Sequence, residues 1–104
     1  MNFNFPRSRF ADSNTIDDQV SHIMGEACEV ARASYEADLD ATVMEIFDII
    51  HSCETAMWII AREKGFGYIF DMKIAVERKN RLRGYYDMAA SYAPGTPVEA
   101  SIAT

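Results

Sequence analysis

The fold is decided by residues 43–50, which read VMEIFDII. Apolar side chains fall on almost every side of a helix here, because they do not keep to one stripe. A helix of this kind must be covered on most sides, and a chain of 104 residues has little else to cover it with. The stretch therefore predicts an all-α helical bundle, with three to four helices per chain, that is completed by oligomerisation.

Periodicity and capping residues extend the helical prediction along the chain. Apolar residues at every third or fourth position predict one helix over about 15–33, which Asn14 or Thr15 can cap. The central helix is predicted over 40–65, with basic residues in its last turn. A third helix is predicted over about 68–83. No segment shows the alternation of a β-sheet, although residues 66–70 form a stretch that is short and aromatic enough to be ambiguous.

The two ends of the chain lack a helical period. Residues 1–13 are predicted to form an extended N-terminal arm, and residues 92–104, which hold Pro94, Gly95 and Pro97, a flexible C-terminal tail. Residues 14–91 between them are predicted to form the helical domain.

Composition narrows the class of protein. The net charge of −6 argues against a nucleic-acid partner, because binding to a phosphate backbone depends on basic residues. The sequence shows no long uncharged apolar run and no apolar leader, so we expect neither a membrane span nor a secretory signal. Its two cysteines, Cys28 and Cys53, indicate reduced thiols in the cytoplasm, although a single disulfide between them stays open.

Two pairs of acids stand out. Glu26 and Glu29 lie three residues apart on the first long helix, and Glu45 and Asp48 lie three apart on the central one. This spacing places both carboxylates of a pair on one side of a helix. Two such helices packed side by side would bring four carboxylates together.

The second pair is the more informative, because it lies within the apolar stretch. No lysine or arginine lies within one turn of Glu45 or Asp48, and burying unpaired like charges is costly. A divalent cation removes this cost, and ligands that are all oxygen favour Mg²⁺, or Mn²⁺ in its place. Glu26, Glu29, Glu45 and Asp48 are thus the predicted metal ligands. The competing interpretation, ordinary surface acids on amphipathic helices, suits the first pair better than the second.

The sequence resembles the MazG-like, all-α nucleotide pyrophosphohydrolases over roughly residues 15–85. That family is marked by an E-x-x-E pair on one helix and an E-x-x-D pair on the next, as here. The resemblance implies Mg²⁺-dependent cleavage of a nucleoside triphosphate between the α and β phosphates, by a homodimer or homotetramer. It further implies catalytic roles for Glu26, Glu29 and Glu45, one of which would take the proton of the attacking water. Lys79, Asn80 and Arg83 would bind the substrate.

Two positions depart from the family pattern. Gly25 stands where many members have a further glutamate, and Val76 stands where a lysine is often found. A helical interaction module without enzymatic activity is therefore a second hypothesis. A carboxylate-bridged di-iron bundle is a third, but it needs a Glu-x-x-His motif on each of two helices. His22 and His51 are predicted to have packing or supporting roles rather than to bind the metal.

Overall fold

A computed structural model describes residues 4–87 of the chain. In this part of the chain there are four helices and no strand, which confirms the all-α fold class. The helices are α1, Phe10–Ser13; α2, Ile16–Tyr35; α3, Leu39–Lys64; and α4, Phe66–Leu82. Across the same residues, no helix has the length and apolar character needed to cross a membrane.

Local sequence explains where the long helices begin and end. The Thr15 hydroxyl accepts a hydrogen bond from the Asp18 amide at 3.1 Å, and the Asp18 carboxylate accepts one from the Thr15 amide. This capping box starts α2. The Asp38 carboxylate caps α3 by accepting from the amide of Ala41. Gly65 ends α3 at φ +83°, a conformation that favours glycine.

The helix bounds differ from the predicted ones by a few residues. The connection between the first two predicted helices covers only residues 36–38, because α2 continues to Tyr35 and α3 begins at Leu39. The short aromatic stretch that begins at Phe66 is helical, so α4 starts two residues before the predicted bound.

The N-terminal arm is not extended throughout, since it contains α1. It lies along α3, where the amide of Phe5 donates to the Glu54 carboxylate at 2.9 Å. The Arg62 guanidinium donates to the carbonyl oxygens of Asp12 and Asn14 at 2.9 and 3.2 Å. These contacts join residues about fifty positions apart, which periodicity does not detect. The predicted tail over residues 92–104 lies outside the described residues.

Contacts divide the described residues into two compact units, residues 4–69 and residues 70–87. In the first unit, α2 packs along α3. The buried Gln19 side chain fixes their register, because its amide donates to the Ser52 carbonyl at 3.0 Å and accepts from the Asn14 amide. Small residues dominate the buried apolar positions, which are Ala11, Ala33, Ala56 and Ile59.

Much of the apolar stretch on α3 faces solvent in the single chain. Met44 is 68% exposed, and Val43 and Ile46 are each more than two-fifths exposed. Exposed apolar surface of this kind is typical of association sites.

We therefore expect oligomers in solution, and sedimentation at micromolar concentration should give at least twice the mass of one chain. Val43→Glu should weaken the association, while a compact wild-type monomer would contradict the prediction.

Candidate metal centre

Three of the four predicted ligands meet between α2 and α3. One carboxylate oxygen from each of Glu26, Glu45 and Asp48 lies within 4.8 Å of the other two. Glu26 comes from α2, and the other two lie one turn apart on α3. The α2–α3 packing therefore brings together acids that are distant in sequence.

The donor set fits a hard divalent cation. Oxygen ligands bind Mg²⁺ at about 2.0–2.1 Å, so ligands on opposite sides of the ion lie about 4 Å apart. The oxygens of the acidic cluster (Glu26, Glu45 and Asp48) lie within 4.8 Å of one another, so small side-chain movements would bring them onto one ion. Three protein oxygens also leave coordination positions for water or a phosphate, which Mg²⁺ usually keeps.

Glu29 does not belong to this group. Its carboxylate accepts from the Arg32 guanidinium at 3.1 Å, on the same helix. Arg32 lies three residues after Glu29, so both side chains are on one side of the helix. The sequence alone therefore offers Arg32 as a partner for the Glu29 carboxylate in competition with a metal ion. The ligand role of Glu29 stays a prediction.

Neighbouring negative charges act on the carboxyl group of Glu45. Partial burial raises the pKa of the Glu45 carboxyl above its ordinary value, and repulsion from Asp48 raises this pKa further. Glu26 and Glu29 act in the same direction, whereas Arg32 lowers the Glu45 pKa. Ionised Glu45 is therefore held at a cost in free energy, which a bound cation would remove.

The two histidines, His22 and His51, lie close to the acidic cluster. His22 Nε2 lies 3.1 Å from a carboxylate oxygen of Glu26, one turn along α2. His51 Nε2 lies 3.2 Å from the Pro6 carbonyl oxygen, and the His51 ring stacks on Phe5 at 4.7 Å between centroids. These contacts fit the supporting and packing roles predicted for the two side chains.

A cavity of about 130 Å³ opens beside the acidic cluster. Glu26 and Asp48 line it, so the cavity and the acidic cluster share two residues. The other lining residues are Ser8, Phe10, Gln19, His22, His51, Ser52 and Thr55. Any molecule in this cavity lies next to the carboxylates.

Sequence reasoning missed most of these lining residues. Ser8 and Phe10 lie in a segment without periodicity, and only its docking on α3 brings them to the cavity. Gln19, Ser52 and Thr55 are buried polar residues. Ser52 and Thr55 lie at helical spacings of three, four and seven with Ala56 and Ile59, and this register in the sequence indicates that they share the buried face of α3.

The predicted substrate-binding residues lie in the unit of residues 70–87. Lys79 and Asn80 belong to the last turn of α4, and Arg83 follows it. The Arg83 guanidinium lies over the Tyr85 ring at 4.7 Å, and the Asn80 carbonyl accepts from the Tyr85 amide at 2.9 Å. Their contacts shape the end of this helix, and their role toward a substrate stays a prediction.

Comparisons of the chain with family models, with curated proteins and with solved structures find no match. The resemblance to the MazG-like enzymes therefore rests on sequence motifs alone: the two pairs of acids, and Asn80 with Arg83.

Proposed function

We propose that this protein is a Mg²⁺-dependent nucleoside triphosphate pyrophosphohydrolase, which releases a nucleoside monophosphate and pyrophosphate. One observation carries the proposal: the carboxylates of Glu26, Glu45 and Asp48 converge from two helices to within 4.8 Å of one another. A triphosphate and a carboxylate cluster are both strongly anionic, so they can share a site only with cations between them.

The residues present define what each would do. Glu26, Glu45 and Asp48 would hold the cation, and His22 would keep the Glu26 carboxylate oriented through their 3.1 Å contact. The cation, when bound, polarises the phosphoryl oxygens and lowers the pKa of a bound water. One carboxylate of the site would take the proton from the attacking water.

The proposal also covers the oligomeric state of the protein, the metals it would accept and its location in the cell. We infer a homodimer or homotetramer, because apolar residues of α3 are exposed in the single chain. Mn²⁺ would replace Mg²⁺ at an oxygen site. The cytoplasm suits a chain with two free cysteines, and the net charge of −6 disfavours nucleic acid as a partner.

The absence of a carboxylate at Gly25 supports the second candidate, a helical interaction module. A Cβ added at Gly25 would meet nothing within 4 Å, so packing does not require glycine there. A glutamate would therefore fit at position 25, and its absence changes the chemistry of the site without being required by packing. A di-iron centre has less support, because His51 contacts Pro6 and the acidic cluster contains carboxylates alone.

The products of turnover test the proposal. The purified protein is incubated with Mg²⁺ and each common ribo- and deoxyribonucleoside triphosphate, and the products are separated. We expect monophosphate and pyrophosphate in equal amounts from at least one nucleotide. Diphosphate with orthophosphate would contradict cleavage between the α and β phosphates. No turnover of any nucleotide would favour the interaction module, and iron in the purified protein would favour the di-iron bundle.

A further inference from the structure

A second cleft in the unit of residues 4–69 shares no lining residue with the acidic cluster. Aromatic rings from three segments of the chain line this aromatic cleft: Phe5 from the N-terminal arm, Trp58 from α3 and Phe66 from the start of α4. The remaining lining residues are Asn4, Glu54 and Met57. The aromatic cleft is therefore a mainly apolar surface that carries one ionisable side chain, that of Glu54.

Two of its rings form adjoining walls. The Trp58 and Phe66 rings meet edge to face, at 89° and 4.8 Å between their centroids. The face of an aromatic ring is its negative side, so it attracts cations. The chain already shows this attraction, because the Arg7 guanidinium lies over the Trp58 ring at 4.8 Å from the centroid. Arg7 does not line the aromatic cleft, so its contact leaves the cleft open to another cation.

Glu54 brings a negative charge without a cationic partner to the aromatic cleft. Its side chain is half-buried, and its Oε1 accepts a hydrogen bond from the Phe5 amide at 2.9 Å. Among residues 4–87, no basic side chain forms an ion pair with Glu54, and Arg7 pairs with Asp12 instead. A carboxylate that is partly removed from water is stabilised by an opposite charge. The carboxylate and the rings therefore favour the same kind of ligand, a cation.

The lining also selects the kind of cation. A hard metal ion needs several oxygen ligands and a primary ammonium group needs several acceptors, whereas the aromatic cleft offers a single carboxylate. A quaternary ammonium group donates no hydrogen bond, and its methyl groups pack against rings and against the thioether of Met57. The net charge of −6 attracts such a cation from solution.

We propose that the aromatic cleft binds a small, soluble quaternary ammonium compound, with its methyl groups against the rings and the Glu54 carboxylate as its counter-charge. The proposal is independent of the metal site and of the proposed function, because the aromatic cleft and the acidic cluster have no residue in common. A failure of one proposal therefore leaves the other intact.

Choline and its uncharged carbon isostere, in which a tert-butyl group replaces the trimethylammonium group, test the proposal on the full chain. Calorimetry at constant ionic strength measures the affinities, and the fluorescence of Trp58, the only tryptophan of the chain, reports where the ligand binds. We expect choline to bind at least about tenfold more tightly than the isostere, because the rings and Glu54 attract its charge. Equal affinities or no binding of choline would overturn the proposal. Binding to phosphatidylcholine vesicles without binding to free choline would overturn the assignment to a soluble cation.

Glu54→Gln tests the counter-charge. Glutamine keeps an oxygen that accepts from the Phe5 amide but carries no charge. We expect choline to bind about fivefold more weakly, while the carbon isostere binds as it does to the wild type. Glu63→Gln is the matched control, because Glu63 is an exposed acid on the same helix that does not line the aromatic cleft. An unchanged choline affinity in Glu54→Gln, or equal weakening of choline and the isostere, would count against the proposal.

Phe66→Leu tests the contribution of a ring. Leucine keeps an apolar side chain but has no ring face, so choline should bind about threefold to fivefold more weakly and the isostere nearly as before. Phe10→Leu is the matched control, because Phe10 is 40% exposed against 43% for Phe66 and lines the other cavity, beside the acidic cluster. The control should bind choline like the wild type. A full choline affinity in Phe66→Leu, or the same loss in both variants, would refute a cation held by the rings of this cleft.

Discussion

Mg²⁺ at about one hundred times its dissociation constant should stabilise the wild-type protein by about 2.7 kcal/mol, because a ligand that binds only the folded state shifts the equilibrium by mass action. For a domain of this size, that corresponds to a rise in the melting temperature of roughly 10–20 °C. Asp48→Ala should remove most of this rise, since it takes away one of the three converging carboxylates. Thermal unfolding followed by circular dichroism, with and without Mg²⁺, measures the effect.

The metal-free state of the same variant gives a second measurement. Asp48 repels ionised Glu45, so Asp48→Ala should melt at or above the wild-type temperature when no metal is present. Glu63→Ala is the matched control: Glu63 is an exposed acid on the same helix outside the acidic cluster, and its loss should leave the Mg²⁺ effect intact. The metal site would be refuted by equal melting of the wild type with and without Mg²⁺, or by a full Mg²⁺ effect in Asp48→Ala.

Local signals made the helices predictable. The capping box at Thr15 and the glycine at position 65 act on their own turns, so the sequence indicates them directly. The acidic pairs were predictable for a related reason: a spacing of three places two side chains on one side of a helix whatever surrounds them. Packing of α2 on α3 then brought Glu26 to the other pair.

The N-terminal segment was not predictable from these signals. Its structure depends on partners about fifty residues away, such as Arg62 for the Asp12 carbonyl and Glu54 for the Phe5 amide. A segment with no apolar period gives no indication of such contacts. The cavity wall at Ser8 and Phe10 was missed for the same reason.

Glu29 shows how a local partner can compete for a predicted ligand. Its spacing from Glu26 predicted a shared role, but Arg32 lies within one turn and forms an ion pair with it. Glu45 and Asp48 have no basic residue within one turn in the sequence. The carboxylates of these two residues meet Glu26 instead, which concentrates the unfavourable charge where a cation can relieve it.

Glu45→Gln should lower turnover of the best nucleotide substrate by at least about a hundredfold. The substitution keeps the side chain's shape but removes the charge of one member of the acidic cluster. A metal ion acting as a Lewis acid lowers the activation barrier by several kcal/mol. Each loss of about 1.36 kcal/mol slows the reaction tenfold. Steady-state release of pyrophosphate measures it. Glu63→Gln is the control for the loss of one acid from α3, and it should retain wild-type turnover.

The pH dependence of stability without metal distinguishes a loss of turnover caused by the missing Glu45 charge from a loss caused by misfolding. The raised pKa of Glu45 means that the folded state binds a proton more tightly than the unfolded state. The contribution of Glu45 to stability should therefore become more favourable as the pH falls through its raised pKa, and less favourable as the pH rises. Glu45→Gln lacks this titration, so it should be the more stable protein at pH 7.5, and its advantage should shrink on acidification. A variant that turns over normally, or an advantage that grows as the pH falls, would remove Glu45 from the proposed site.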